Sequence, residues 1–145
     1  MSDARVAQLV TMFESMAPQD VPNLARWYTG DAVFKDPFND VRGLAAIQRV
    51  YAHMFEALEA PRFVVTGRVV DGTQCVLLWD FHFAFRSKPA QRHVVPGASH
   101  LHLAADGRIA VHRDHWDAAE LYDKLPLVGR ATRWLRRRMN GSTMA

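Results

Sequence analysis

The apolar residues of the first sixty positions recur with a helical period. The first stripe ends at Pro18 and consists of Val6, Leu9, Val10, Phe13 and Ala17. A second, short helix is predicted from Asp20, a residue type that caps helices, to Gly30, with Tyr28 near its end. The third stripe ends before Pro61 and consists of Leu44, Ile47, Tyr51, Met54 and Leu58. Three helices are therefore predicted ahead of most of the sheet.

From Arg62 onward, the spacing of apolar residues shortens to the two-residue period of β-strands. The predicted strands are Phe63–Val70, Cys75–Phe85, His93–Ala104 and Ile109–Trp116. Asp71-Gly72 and Asp106-Gly107 separate two pairs of these strands, and Asp-Gly is a strong hairpin signal. Residues 1–126 are therefore predicted to form one α+β domain, in which a mainly antiparallel sheet carries the helices on one face.

A further strand ends at an Asp-Pro pair, Asp36-Pro37. Alternation from Val33 places Phe34 and Asp36 on one face. Because proline cannot donate to a strand ladder, the strand should end there and leave the Asp36 carboxylate at the edge of the sheet. Two interpretations remain open: Asp36 caps the turn that follows through Phe38, or it belongs to a site built at the strand end.

The strand around residues 78–85 separates aromatic from polar side chains. One face carries Trp79, Phe81, Phe83 and Phe85, and the other carries Leu78, Asp80, His82 and Ala84. Four aromatic side chains facing water would aggregate or form an interface, so we expect a partner subunit to cover them. Asp80 and His82 would then point into the interior, either as part of a site or as a structural pair.

The last strand adds further polar residues to the expected interior. It places on one face His112, Asp114 and Trp116. A pocket that received them would contain Asp36, Asp80, His82, His112 and Asp114. Burial and neighbouring carboxylates raise carboxyl pKa values toward neutrality, which suits acid and base catalysis. On the preceding strand, Ser99 and Leu101 alternate with His100 and His102, and we assign the two histidines to the face away from the pocket.

Charge is distributed unevenly along the chain. The net charge is +3 for 145 residues, but five arginines lie at positions 130–138, and residues 1–129 carry thirteen basic against fifteen acidic residues. Basicity that is confined to one end of a chain is weak evidence for a nucleic-acid partner, and none is expected.

Motifs for bound metals and cofactors are missing from the sequence. It has no Gly-rich phosphate loop, no G-x-S-x-G elbow and no evident set of three converging metal ligands, so neither a metal nor a cofactor is expected. Cys75, the single cysteine, lies in an apolar run and is predicted to be a buried thiol. Because one cysteine forms no internal disulfide, and no apolar run approaches the ~18 residues of a spanning helix, a cytoplasmic protein is expected.

Residues 127–145 are predicted to form a basic amphipathic helix and tail. The apolar stripe of this helix consists of Leu127, Ala131, Trp134 and Leu135, and arginines flank it. We expect the helix to fold back as a lid over the pocket, with the Trp134 ring buried and the arginines in water. A partner protein or an anionic membrane surface is a less favoured alternative.

Three segments together indicate a known fold family. They are residues 28–37 with Asp36-Pro37, residues 41–47, and residues 106–109 followed by Trp116. Over residues 5–122 the chain resembles the nuclear transport factor 2-like superfamily, specifically its SnoaL-like and ketosteroid-isomerase-like members. The resemblance implies a strongly curved sheet that forms a cone, three N-terminal helices that enclose an apolar pocket, and an outer sheet face that pairs two subunits. Since this fold hosts isomerases, cyclases, hydrolases and binding proteins, the resemblance implies fold more strongly than reaction.

The resemblance also suggests roles for individual residues. Asp36 matches the general base of ketosteroid isomerases, whereas their oxyanion-hole Tyr and protonated Asp would fall near Met12 and Ser99 and are not retained. Asp114 matches a catalytic Asp of the limonene-epoxide-hydrolase branch. The Arg and second Asp of that branch fall at Asp80 and His82, so the Arg is missing here.

The sequence therefore favours a cofactor-independent enzyme that carries out isomerase- or cyclase-like proton transfer on a small hydrophobic molecule. The candidate catalytic residues are Asp36, Asp80, His82 and Asp114. The candidate substrate-binding residues are Tyr28, Phe34, Leu78, Ser99, Leu101, His112 and Trp116. The alternatives are a non-catalytic domain that binds an apolar ligand, water activation of the epoxide-hydrolase kind, and a role in dimerisation alone.

Overall fold

The polypeptide alternates from helices to a long run of strands and back to helices. The computed structural model describes residues 3–141, so residues 142–145 of the predicted C-terminal tail lie outside the described residues. The helical elements are α1 (Asp3–Ser15), a 3₁₀ segment (Pro18–Arg26), α2 (Leu44–Ala57), α3 (Ala118–Tyr122) and α4 (Pro126–Met139). The strands are β1 (Tyr28–Lys35), β2 (Asp40–Arg42), β3 (Leu58–Asp71), β4 (Gln74–Phe85), β5 (His93–Leu103) and β6 (Ile109–Trp116).

The six strands form one sheet in the order β2-β1-β6-β5-β4-β3. β1 runs parallel to β6, and the other neighbouring strands are antiparallel. Register shifts interrupt the pairing of β3 with β4, and such irregularities bend strands. The prediction of a curved, mainly antiparallel α+β fold is confirmed.

The hydrophobic core lies between the N-terminal helices and one face of the sheet. Buried residues from α1, the 3₁₀ segment and α2 pack against buried residues of β1, β4, β5 and β6 in one cluster. α1 contributes Val6, Leu9 and Phe13, which belong to the apolar stripe predicted for it, and α2 contributes Ile47 and Tyr51. Helical periodicity in the sequence therefore identified the faces that bury these two helices.

The boundaries of several elements differ from the sequence prediction. The second helix is a 3₁₀ segment with non-helical backbone at Asn23, and Tyr28 belongs to β1 rather than to this helix. β3 begins directly after α2 and contains Pro61, which was expected to lie beyond the helix. A proline is tolerated there because β3 is an edge strand, where a missing N–H need not break a ladder. The short elements β2 and α3 carry too few residues to show a period and were not predicted.

The C-terminal helix α4 does not have the expected burial. Trp134, predicted to be buried beneath a lid, is 57% exposed, and Leu127 is 80% exposed. Polar groups of α4 instead contact α3 and the residues just after it. The prediction of a lid with a buried Trp134 is wrong, because this polar contact turns the apolar side of α4 toward water. Among residues 3–141, no helix is both long enough and apolar enough to cross a membrane.

Candidate active site

An apolar cavity of about 260 Å³ lies between α2 and the sheet. β4 supplies much of its wall through Trp79, Phe81, Phe83 and Phe85, and α3 adds Leu121. The polar residues of the lining are Asp36, Asn39, Tyr51, His53 and Asp114. Small-molecule sites are typically apolar clefts of this kind, with a few placed polar groups and a volume of roughly 300 Å³ or more.

The aromatic face of β4 therefore points inward, opposite to the sequence expectation. Trp79 and Phe83 are buried, while Leu78 is 44% exposed on the other face. Asp80 and His82 share that outer face, are half-buried, and do not line the cavity. The expected direction was wrong because the helices of the same chain cover the aromatic side chains, so these residues need no partner subunit to bury them.

Asp114 is the carboxylate most firmly held at the cavity. Its Oδ1 accepts a hydrogen bond from Ser99 Oγ at 2.5 Å and lies 2.6 Å from His112 Nε2. The side chain is only 11% exposed. Within residues 3–141 no hydrogen bond reaches the second oxygen, Oδ2, and no fully buried side-chain polar atom lacks a partner, so Oδ2 is the accessible oxygen. One oxygen of Asp114 is thus fixed, and the other is free to accept a proton.

His112 connects Asp114 to two buried tyrosines. Its Nδ1 lies 2.7 Å from the Tyr28 hydroxyl, which lies 2.7 Å from the Tyr51 hydroxyl. The imidazole ring is parallel to the Tyr28 ring and contacts Phe34, with ring centroids 4.7 Å apart. With its proton on Nε2, His112 donates to Asp114 and accepts at Nδ1 from the Tyr28 hydroxyl, which in turn accepts from Tyr51. All the hydrogen bonds of this network then point in one direction, toward Asp114.

Burial keeps both tyrosines in the protonated form. Desolvation is the main cause that raises the pKa of Tyr28 well above its usual value of 10.0, and the neighbouring Tyr51 and the Asp114 charge add to it. Desolvation also raises the pKa of Tyr51, with a further contribution from the Asp114 charge. Both phenols therefore remain hydrogen-bond donors throughout the physiological pH range.

Trp79 completes the support of Asp114 from the opposite side. Its indole Nε1 donates to Ser99 Oγ at 2.9 Å, and Ser99 in turn donates to Asp114. The ring crosses β5 at Gly97, where an added Cβ would lie 2.3 Å from one ring carbon. Glycine at this position is what allows the indole to reach Ser99.

Asp36 lies at the same end of the sheet but has different partners. The parallel pairing of Lys35 with Arg113 brings Asp36 beside Asp114, and both carboxylates line the cavity. Asp36 Oδ1 accepts from the backbone N–H groups of Phe38 and Asn39 at 2.8 and 2.7 Å. The Asn39 amide also donates to both oxygens. Asp36 is thus a turn cap, and its side chain also lines the cavity; its membership of a functional site stays a prediction.

The remaining candidate binding residues divide into three groups. Phe34 and Trp116 line the cavity. Tyr28, Ser99 and His112 lie beneath its wall and form the hydrogen-bond network of Asp114. Leu101 is buried in the core away from the cavity, and Leu78 lies on the outer face, so neither is in a position to touch a molecule held there.

Two residues of the site were missed as functional candidates. Tyr51 appeared only as part of a helical core stripe, and Trp79 was assigned to the outer face. The alternation along β4 contained the missing signal. Cys75 and Leu77 lie on the same face as Trp79 and extend the apolar run of that face. Among the described residues, no three His, Cys, Asp or Glu side chains are grouped closely enough to hold a metal ion.

The curved sheet, the helices on one face and the apolar cavity between them define an α+β cone protein. The chain belongs to the SnoaL-like domain family, whose family model matches residues 9–112. No curated protein matches the sequence significantly.

Solved structures with the same fold have low sequence identity to the chain. One is a hypothetical protein with a ketosteroid isomerase-like fold from Catenulispora acidiphila, in complex with trimethylamine; it has a TM-score of 0.72 and 15% identity, and the match covers 87% of this chain and 96% of that one. A second is a putative SnoaL-like polyketide cyclase from a Jannaschia species, with a TM-score of 0.70, 22% identity and coverage of 84% and 93%. At these identities the likeness shows the fold alone.

Proposed function

We propose that this protein is a cofactor-independent enzyme that moves a proton on a small hydrophobic substrate, in a reaction of the isomerase or cyclase type. The observation that carries the proposal is the arrangement of Asp114, whose Oδ1 is fixed by Ser99 and His112 while Oδ2 is accessible at an apolar cavity. A positioned carboxylate in an apolar site is a suitable general base for carbon acids. The membership of the chain in the SnoaL-like family supports the same class of reaction.

In the proposed step, Asp114 Oδ2 removes a proton from a carbon next to a substrate carbonyl. The C–H bond breaks, an O–H bond forms on Asp114, and the electron pair moves onto the carbonyl oxygen. Returning the proton to another carbon would complete an isomerisation. Alternatively, attack of the enolate carbon on a second carbonyl would close a ring, and the proton on Asp114 would pass to the alkoxide oxygen that forms there. Ser99 and His112 act as positioning residues, because both hydrogen bonds hold the oxygen that does not receive the proton.

Asp36 is proposed to be the second carboxylate of the site rather than the base. Both of its oxygens already accept hydrogen bonds, from Asn39 and from the turn, whereas Asp114 Oδ2 accepts none within residues 3–141. Water activation by Asp80 and His82 has no support, since both lie on the outer face of the sheet. The site is proposed to act in the cytoplasm, because the single cysteine allows no internal disulfide.

The proposal is tested by measuring α-proton exchange of cyclic ketones and 1,3-diketones in D₂O by NMR. Replacing Asp114 with Asn should slow the exchange catalysed by the protein by about 10²- to 10⁴-fold, the usual effect of losing a general base. Asp80→Asn is the matched control, because it makes the same change to a half-buried carboxylate outside the cavity. An Asp114→Asn protein that keeps more than half of the wild-type exchange rate would exclude Asp114 as the base.

A second candidate function is the binding of an apolar ligand without catalysis. It is favoured by the saturation of Asp36 within its own turn and by the mostly aromatic wall of the cavity. In that case the wild-type protein would catalyse no exchange above buffer across the panel, yet would bind an apolar fluorescent dye. Asp114→Asn would then leave dye binding unchanged or strengthen it, because a charge is removed from the wall.

We also propose that the outer face of the sheet pairs two copies of the chain. Leu78 on β4 and Val94 on β5 are exposed on this face, the side opposite to the helices. Exposed apolar residues that share one face of a sheet suit an interface. The aromatic residues of β4 make no contribution to this proposal, because they line the cavity.

A further inference from the structure

The helix α4 is attached to the rest of the protein through its polar side. Thr132 Oγ1 donates to Asp123, and Arg133 Nη1 donates to the Asp123 carbonyl at 2.8 Å. Arg136 forms ion pairs with Asp123 at 2.7 Å and with Asp117 at 3.4 Å. Gly129 of α4 is buried and lies so close to Asp123 that an added Cβ would be 2.7 Å from the Asp123 carbonyl oxygen. The side of α4 that carries Gly129, Thr132, Arg133 and Arg136 therefore faces the protein.

The opposite side of α4 exposes an apolar surface that Arg138 alone interrupts, because at about 100° per residue Arg138 falls between Trp134 and Ala131. Its large apolar side chains are between 44% and 80% exposed, and they are Leu127, Val128, Trp134, Leu135 and Met139. At about 100° per residue these side chains and Ala131 fall within an arc of about 140°. Hereafter we call this set the apolar arc. Four α-helical turns that display such an arc to water need a covering surface.

The charges around the apolar arc have one sign. No acidic residue follows Asp123, whereas Lys124 and the five arginines of positions 130–138 do. Arg130 is exposed beside the arc, and the guanidinium of Arg138 lies over the Trp134 ring at 5.8 Å from its centroid. Arg138 lies within the arc, and a long arginine side chain can pack its apolar stem on such a surface while its guanidinium extends to the lipid head groups.

Charge complementarity selects the partner. A second copy of α4 would bring arginines against arginines, because the exposed side carries no carboxylate that could pair with them. A surface of anionic phospholipid provides both an apolar layer and a dense array of negative charge. We propose that α4 lies flat on an anionic membrane surface, with the apolar arc at the acyl boundary and Arg130 and Arg138 at the phosphates.

The test uses the full chain and large vesicles of phosphatidylcholine, with or without 30 mol% phosphatidylglycerol, in a flotation assay. Binding to the anionic vesicles is expected at low salt and should weaken as salt is raised. Arg130→Gln with Arg138→Gln should weaken binding by about 30-fold, at about fivefold for each charge near the surface. The matched control is Arg49→Gln with Arg68→Gln, which removes two exposed arginines elsewhere and should have a much smaller effect.

The apolar contribution is tested separately. Leu135→Glu should reduce vesicle binding by more than about tenfold, since it places a charge within the apolar arc. Ala45→Glu makes an equal change of charge at an exposed apolar residue of α2, outside both the cavity lining and the outer face of the sheet, and should retain binding. Both variants should keep the wild-type melting temperature, because both positions are exposed.

Three results would overturn the proposal. The first is equal binding to neutral and anionic vesicles, or no binding to either. The second is an equal loss of binding in Ala45→Glu and Leu135→Glu. The third is self-association that Leu135→Glu abolishes in the absence of vesicle binding, which would assign the apolar arc to a second copy of the chain.

Discussion

Replacing Gly97 with alanine tests whether Trp79 supports the candidate base through Ser99. Gly97 is paired with Trp79 on β4 and with Trp116 on β6, so its backbone is held by strands on both sides. A Cβ at this position would lie 2.3, 2.6 and 2.9 Å from three carbons of the Trp79 ring. Because such contacts are too short and the backbone is held, the indole must move away from β5.

The energetic cost follows from two local effects. Forcing a methyl group into a packed site costs about 1–3 kcal/mol. Displacing the indole also breaks the buried 2.9 Å hydrogen bond to Ser99, which adds about 1 kcal/mol. The free energy of unfolding should therefore fall by about 2–4 kcal/mol. Proton exchange of the ketone substrates should also slow, because Ser99 loses the donor that orients it toward Asp114.

The free energy is measured by urea unfolding followed by far-UV circular dichroism, and the ring position by the ¹⁵N shift of the Trp79 indole. Gly30→Ala is the matched control, since an added Cβ there has no atom within 4 Å. This control should be neutral or more stable by up to about 1 kcal/mol. A Gly97→Ala protein with wild-type stability and an unchanged Trp79 indole shift would refute the reasoning.

Three further predictions concern the second carboxylate, the phenols and the outer face. Asp36→Asn should reduce ketone exchange by less than about tenfold, and a loss as large as that of a general base would transfer the role to Asp36. The pKa values of Tyr28 and Tyr51 are raised in the folded state, so the unfolded chain loses these protons first as the pH rises. The contribution of the two phenols to the free energy of unfolding should be constant below about pH 10. Above it, this contribution should fall by about 1.4 kcal/mol per pH unit for each phenol. Urea unfolding between pH 8 and about 11 should show this slope, and Tyr51→Phe should remove about half of it. Leu78→Asp should convert a sedimenting dimer to a monomer, whereas a monomeric wild-type chain at micromolar concentration would contradict the proposed interface.

The fold could be predicted from the sequence because its signals are local. The stripe of α1, the Asp71-Gly72 and Asp106-Gly107 turns and the Asp36-Pro37 strand end each specify their own element with little help from the rest of the chain. The pairing of β1 with β6 could not be read in this way. It joins residues about eighty positions apart, and its parallel direction has no local turn to reveal it.

The candidate site was predicted only in part because alternation separates two faces without saying which of them is inside. For β6 the inner face contains His112 and Asp114, as predicted. For β4 the aromatic face was expected to be covered by a partner subunit, and this expectation directed the face with Asp80 inward. The aromatic run that includes Trp79 was the better guide, because burying large apolar area is what decides the inward face.

The cavity and the apolar arc of α4 are connected by the short helix α3, and this connection bears on how the two proposals are separated. Leu121 of α3 lines the cavity, and Asp123, just beyond α3, binds α4. A membrane beneath α4 would therefore lie close to the part of the cavity wall that Leu121 forms. Asp114→Asn should abolish exchange of a water-soluble ketone and leave vesicle binding unchanged, while Leu135→Glu should have the opposite effects, because neither residue contacts the other's partners. Loss of both activities in either variant would mean that α3 transmits the change between the two sites, which would require them to be treated as one functional unit.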